Sequence, residues 1–223
     1  MRVLELSGGK DSVACLYLLK EQLNDIIVVW LHTGDAYPET LRVIEECRKI
    51  CPNFKVVESD VAAWIARNGY PSDVLPADGR KVHLMTDAFN LSDKYDCCAA
   101  NIMNPLHAAV LAMHPTEIIR GQKNSDDYKG PLRSGQVIDG VTYTYPIENW
   151  TDQDVFDFLE EQGAPIHACY SYSDHGVDCI HCTAWWNHNS MEYLATVSED
   201  AHRHVSSKRR VIRRMVEERM RPC

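Results

Sequence analysis

The stretch L-E-L-S-G-G-K-D-S-V-A-C, residues 4–15, constrains this chain more than any other. An apolar run breaks into Ser7, Gly8, Gly9, Lys10, Asp11 and Ser12 and then turns apolar again. Residues 2–6 predict a short strand, and Val13, Leu16, Leu19 and Leu23 recur at helical spacing through residues 11–23. A glycine-rich turn between a buried strand and a helix leaves backbone N–H groups unpaired at the helix start, where the macrodipole also favours anions. Gly8 and Gly9 allow close backbone approach, Ser7 and Ser12 offer hydroxyls, and Lys10 supplies a mobile cation. The pattern predicts a phosphate cradle, the plain alternative being an ordinary glycine turn with a solvated lysine. It is neither G-x-x-x-x-G-K-S/T nor G-x-G-x-x-G, so the kinase-like and dinucleotide readings do not apply.

Alternation continues downstream. I-I-V-V-W-L (26–31) is a continuous apolar run of the kind a parallel sheet buries on both faces, and it ends in the polar turn H-T-G-D-A-Y-P-E-T. Pro38 opens a predicted helix, F-K-V-V-E-S a third strand, T-E-I-I-R-G and T-Y-T-Y-P-I two more. Residues 69–96 predict an irregular insertion with a helix around L-M-T-D-A-F-N-L, and A-A-N-I-M-N-P-L-H-A-A-V-L-A-M predicts helix despite Pro105. W-T-D-Q-D-V-F-D-F-L-E-E-Q-G predicts a helix capped by Thr151 or Asp152 and closed by Gly163, and the tail beyond residue 186 reads as helical. The expected fold class is α/β: a doubly wound, mostly parallel sheet flanked by helices, with a nucleotide-binding domain over 1–186 and a helical basic extension over 187–223.

The chain has 223 residues, 45% hydrophobic and 25% charged, which excludes disorder and coiled coil. A net charge of -9 argues against wholesale wrapping of nucleic acid. Residues 208–221, K-R-R-V-I-R-R-M-V-E-E-R-M-R, are the basic exception: a solvated helix face, or a contact for nucleic acid or an acidic partner. No signal segment or membrane-length apolar run is visible, so a cytoplasmic location without a membrane partner is expected. Nine cysteines in a reducing compartment suggest metal ligands or redox chemistry.

S-G-G-K-D-S resembles the PP-loop of the adenine nucleotide α-hydrolase superfamily, and further segments are similar to phosphoadenylyl-sulfate (PAPS) and adenylyl-sulfate (APS) reductases. H-T-G-D-A-Y-P-E-T resembles their D-T-G…P-E-T turn, I-I-R-G-Q-K-N-S-D-D their G-x-R-x-x-x-S segment, and Y-P-I-E-N-W-T-D-Q-D-V-F-D-F-L their P-I/L-x-x-W-T-x-x-D-V run. These segments stand in family order over roughly residues 3–186. The resemblance implies that Ser7, Gly8, Gly9, Lys10, Asp11 and Ser12 hold nucleotide phosphates, that Thr33 and Gly34 lie near the adenine, and that Gly121 and Lys123 complete the site.

Cys97 and Cys98 are adjacent, and 80 residues intervene before Cys179 and Cys182 form C-I-H-C. A C-x-x-C turn brings two thiolates to one ion, and a second pair can complete a four-sulfur shell. Zinc accepts such a shell as well as iron does, and buried reduced cysteines need no metal at all. The pattern resembles the 4Fe–4S site of cluster-bearing APS reductases, which implies iron–sulfur over zinc. Asn101 and Ile102 stand where that family puts a basic pair, which removes a positive charge from beside the cysteines. Cys15, Cys47, Cys51 and Cys169 read as packing residues. Of His107, His167, His175 and His181, the last two flank the C-x-x-C turn and are candidates for substrate contact.

Two departures shape the functional expectation. The reductases' C-terminal E-C-G-L-H nucleophile is missing, and Cys223 is the one tail cysteine that can stand in for it. Their loop usually lacks the lysine that is intact here, while Gln122 replaces their arginine and leaves Lys123 as the nearby cation. The leading expectation is an AMP-forming enzyme that binds ATP with Mg²⁺ and activates an acceptor for sulfur transfer, with Lys10 stabilising departing pyrophosphate. The alternatives are a reductase releasing sulfite from APS or PAPS with Cys223 and a thioredoxin-like donor, and a noncatalytic nucleotide-binding partner.

Overall fold

A computed structural model describes residues 1–74, 90–127 and 129–219. Along the chain, β1 (Arg2–Leu6) leads into α1 (Lys10–Leu18), β2 (Ile26–His32), α2 (Pro38–Lys49) and β3 (Phe54–Glu58). Then come α3 (Val61–Asn68), β4 (Tyr70–Ser72), β5 (Leu91–Asp93), α4 (Lys94–Cys98) and α5 (Asn104–Leu111). The remainder is β6 (Glu117–Ile119), β7 (Val137–Ile138), β8 (Val141–Thr144), α6 (Asp152–Glu161), α7 (Ser190–Val197) and α8 (Glu199–Arg219). The chain divides into two units: the first holds Met1–His32, Pro38–Glu58 and Pro105–Ala168, the second Thr33–Tyr37, Ser59–Asn104 and Cys169–Cys223.

The first unit is built on a six-stranded sheet in the order β3-β2-β1-β6-β8-β7, parallel throughout except for the β7–β8 pair. Val3, Leu4 and Leu6 of β1 and Val28 and Val29 of β2 are fully buried, the two-faced burial that a central parallel strand requires. Val3, Val29, Val110, Ile118, Tyr143 and Tyr145 form its apolar core. The strand order reverses between β1 and β6, so the loop that follows β1 lies at the topological switch point, where open α/β sheets bind ligands. The expected α/β class, a mostly parallel sheet flanked by helices, is what the chain adopts.

Several local features differ from expectation. The first helix stops at Leu18 rather than residue 23, and Lys20–Asp25 winds as a tighter 3₁₀ segment that turns Leu23 into the core just before β2. β7 and β8 are joined by Asp139 and Gly140, both at positive φ (50° and 80°), which is a two-residue hairpin turn of mirror-image type. α6 follows its sequence closely: Thr151 accepts from the Asp154 N–H and Asp154 returns a bond to the Thr151 N–H, closing a capping box.

In the second unit, β4 and β5 form a parallel pair where only irregular chain was predicted. The helix predicted around residues 84–91 lies outside the described residues, apart from Asn90 and Leu91, the latter opening β5. Asp60 caps α3 through Ala63 N–H (2.8 Å) and Asp93 caps α4 through Tyr95 N–H (2.7 Å). Residues 99–103 wind as a π segment between α4 and α5, where Pro105 has no N–H to give. α7 and α8 pack through Tyr193, Leu194, Ala201 and Val205 onto Tyr37 and Cys169.

Candidate functional site

The loop after β1 is tied together by its own serines. Ser12 Oγ accepts from the Ser7 N–H (3.1 Å) and donates to the Gly9 carbonyl (2.9 Å), and Ser7 Oγ accepts from the Gly9 N–H (3.2 Å). Gly8 has a φ of 85°, and a Cβ there would meet Thr40 Cγ2 at 3.2 Å and Ile44 Cδ1 at 3.3 Å, so glycine suits both the backbone and the space. Gly9 caps α1 without any side-chain acceptor, leaving the first-turn N–H groups of α1 directed at the loop.

Two ammonium groups meet beside this loop. Lys10 Nζ lies 3.0 Å from Asp11 Oδ2 and 3.0 Å from Asp152 Oδ1, with the Phe156 ring centroid at 5.9 Å. Lys123 Nζ lies 2.5 Å from Asp11 Oδ1, 2.9 Å from Asp126 Oδ1 and 3.2 Å from Asp152 Oδ1. The lysine side chains are 6% and 1% exposed. Burial alone would lower the Lys123 pKa, but bonds to Asp11 and Asp126 reverse the sign and hold it above its ordinary value. Asp152 is lowered: burial opposes the shift, and Lys10 and Lys123 outweigh it. Gly121 closes against the loop so tightly that a Cβ would fall 2.6 Å from the Asp11 carbonyl carbon and 2.7 Å from the Ser12 nitrogen. Gln122, standing in the arginine position of the resembled motif, donates to the Leu132 carbonyl and accepts from the Gly130 N–H, shaping the neighbouring loop. Lys123 is thus a core member of the site. The signal for it was only its place after the G-Q pair, while Asp126 and Asp152 carried no recognisable spacing.

Thr33 and Gly34 belong to the second unit, together with all four candidate ligand cysteines. The Cys179 thiol donates to Thr33 Oγ1 (3.6 Å), Ala36 forms a β-bridge with Cys179, and Asp35 accepts from the Ile180 N–H through its carbonyl (2.8 Å) and from the His181 N–H (3.0 Å) through its carboxylate. His181 Nδ1 also lies 2.7 Å from Asp35 Oδ1. His175 stacks on His188 at 3.9 Å, His167 bonds Thr40 Oγ1 at 3.1 Å, and His107 is exposed.

Burial pushes the Cys97 and Cys182 thiols up to about 12, and each feels neighbouring sulfurs: Cys98 acts on Cys97, and both Cys97 and Cys98 act on Cys182. Burial and Asp178 push Cys98 up to about 11, and burial raises Cys179 well above its ordinary value. The donor set is of the kind a thiolate-bound centre needs and lies in one unit. Among the described residues, no group of three or more His, Cys, Asp or Glu side chains is arranged to hold a metal ion. Asn101 donates to the Cys97 carbonyl (2.9 Å) and reaches its sulfur at 3.8 Å. The positive charge missing at Asn101 and Ile102 comes from elsewhere in the chain. Arg209 of α8 donates to the Thr183 carbonyl (3.2 Å) and the Ala184 carbonyl, directly after Cys182; its charge opposes in small part the rise that burial imposes on Cys182, as the Lys94 charge does for Cys98. Arg209 and Arg213 lie over the Trp186 ring and Lys208 over Tyr70, so part of the basic tail is used within the unit. Cys223 lies outside the described residues. Cys15, Cys47, Cys51 and Cys169 are buried free thiols, as expected of packing residues.

A glycine- and serine-rich loop with two buried ammonium groups stands at the switch point of an open parallel sheet, the position at which α/β proteins of the nucleotide-binding class take their ligands. Residues 2–185 match the family described as the phosphoadenosine phosphosulfate reductase domain, and the chain belongs to that PP-loop family. It is 25% identical over 187 residues to phosphoadenosine 5'-phosphosulfate reductase of Cronobacter sakazakii, covering 82% of this chain and 71% of that one. It is 28% identical over 192 residues to the Xanthomonas axonopodis enzyme of the same name, with the same coverage. The fold is shared with a phosphate complex of PAPS reductase from Candida auris at a TM-score of 0.57 and 12% identity, over 79% of this chain and 80% of that one. Among the described residues no helix is long and apolar enough to cross a membrane.

Proposed function

We propose that this chain is a PP-loop enzyme of sulfur metabolism that binds ATP with Mg²⁺ and transfers its adenylyl group to an acceptor, activating that acceptor for sulfur transfer. The observation that carries this reading is the Ser7–Ser12 loop with Lys10 and Lys123 buried beside it, a cradle suited to a leaving pyrophosphate. An acceptor oxygen attacks the α-phosphorus, the bond to the bridging oxygen breaks, and pyrophosphate departs while loop amides and Lys10 stabilise its charge. A sulfur nucleophile then displaces AMP from the acceptor. Cys97, Cys98, Cys179 and Cys182 would hold a 4Fe–4S cluster, with zinc as the alternative, and such a centre would supply electrostatic support or bind sulfur. Exposed Arg210 and Arg214 on α8 support a nucleic-acid acceptor.

A second reading, sulfite release from APS or PAPS with Cys223 and a thioredoxin-like thiol donor, is favoured by one observation: the similar proteins are phosphoadenosine 5'-phosphosulfate reductases. Anaerobic purification with iron and sulfide analysis, followed by parallel assays for pyrophosphate from ATP and sulfite from APS and PAPS, separates the two. Lys10→Ala abolishes pyrophosphate release under the first reading. Undiminished release in that variant would refute it, and sulfite release lost in Cys223→Ser would establish the second.

A further inference from the structure

We infer that Asp152 is a specificity-determining residue: its carboxylate occupies the place of a nucleotide phosphate oxygen and makes the lysine pair select metal-complexed polyphosphate over metal-free anions. The inference rests on the phosphate-cradle reading above and names the form of ligand the cradle takes.

A single oxygen, Asp152 Oδ1, lies 3.0 Å from Lys10 Nζ and 3.2 Å from Lys123 Nζ. One anionic oxygen bridging two buried ammonium groups is the contact a phosphate oxygen would make. Asp152 differs from the other two carboxylates in exposure: its side chain is 53% exposed, against 24% for Asp11 and 31% for Asp126. Asp11 and Asp126 each hold Lys123 from within, whereas Asp152 is carried on the first turn of α6 and faces solvent. An anion arriving from water therefore meets the Asp152 carboxylate, and to reach both ammonium groups it must displace it.

Charge sets the consequence. These five groups, two ammoniums and three carboxylates, leave one excess negative charge. A metal-free pyrophosphate or a sulfonucleotide phosphate enters against that charge. A Mg²⁺-complexed pyrophosphate brings cations for Asp152 to face once it has left the lysines. Asp152 is separate from the capping box, since Thr151 and Asp154 cap α6 with each other, so its charge can be removed without uncapping the helix.

The test is calorimetric titration of the whole protein with inorganic pyrophosphate, in EDTA and with excess Mg²⁺, for wild type, Asp152→Asn, Asp152→Glu and Lys10→Ala. Asp152→Asn is expected to tighten metal-free pyrophosphate binding by about tenfold and to shrink the preference for the Mg²⁺ form, because one charge a few ångströms from the ligand is removed. Asp152→Glu is expected to keep the wild-type preference. Metal-free binding that is unchanged or weaker in Asp152→Asn, with Lys10→Ala still losing pyrophosphate, would overturn this role while leaving the cradle intact. Pyrophosphate binding undiminished in Lys10→Ala would overturn the cradle itself and this inference with it. Thermal melting of each variant confirms that it is folded.

Discussion

Replacing Gly121 by alanine tests the closeness of the β6 end to the phosphate loop. The added methyl would sit 2.6 Å from the Asp11 carbonyl carbon, 2.7 Å from its oxygen and 2.7 Å from the Ser12 nitrogen. All three are main-chain atoms, so no side-chain rotation relieves the contact. Opening 2.6 Å to an ordinary separation of 3.4 Å requires the strand end and the loop to part by about 0.8 Å. Overpacking of this kind costs about 2 kcal/mol, which lowers the melting temperature by about 5 °C in a chain of this size. The effect on function is larger, because misplacing positioning groups by about 1 Å costs on the order of a hundredfold in rate. Gly135 is the control: its φ is 85° but nothing lies within 4 Å of an added Cβ, so Gly135→Ala costs about 1 kcal/mol of backbone strain and leaves the site alone. The assay pairs calorimetric melting with pyrophosphate release from ATP. Wild-type release and melting in Gly121→Ala would refute the reasoning.

Lys123→Met leaves Asp11 and Asp126 facing each other without their shared cation, and urea unfolding should show a loss of about 2 kcal/mol together with loss of pyrophosphate binding. Glu117 is held below the ordinary glutamate value of 4.5: burial opposes this, and the Thr144 hydroxyl and Arg2 overcome it. Its contribution is therefore present above pH 4.5 and lost as pH falls through its lower folded value, so Glu117→Gln should flatten that part of the acid-unfolding curve. In metal-free protein at pH 8, Cys98, raised to about 11, should react with iodoacetamide about a hundredfold more slowly than a free cysteine, and Cys97 and Cys182, raised to about 12, about a thousandfold more slowly, read by mass spectrometry. Arg209→Met should slow Cys182 further and lower the iron retained after anaerobic purification, since it removes both the cation and the clamp on residues 183–184.

What the sequence disclosed follows from how locally each feature is encoded. β1, β2 and α6 were readable because apolar runs, a glycine turn and a capping box are contiguous signals. The β7–β8 hairpin was not predicted: Asp139-Gly140 is its turn, but the two-residue strand before it falls below the length at which alternation stands out. The β4–β5 pair was not legible, since three-residue strands containing Pro71 carry no periodicity and pair across intervening chain. The strand–glycine turn–helix course of residues 2–18 was legible because it is encoded contiguously, whereas Lys123's burial, Asp152's bridge and Arg209's hold on the C-x-x-C turn arise from tertiary approach. Asp152 looks like an ordinary helix-start residue until the fold brings it to Lys10 and Lys123.

That dependence has a consequence for how the protein matures. Asp11 waits for a lysine 112 positions later and Lys10 for an aspartate later still, so the carboxylate that bridges the two lysines is missing from a ribosome-bound fragment that ends before α6. Ligand in the cell can rescue the finished unit but cannot guide its assembly, and a truncation anywhere before residue 152 should yield a product that nucleotide fails to protect from proteolysis.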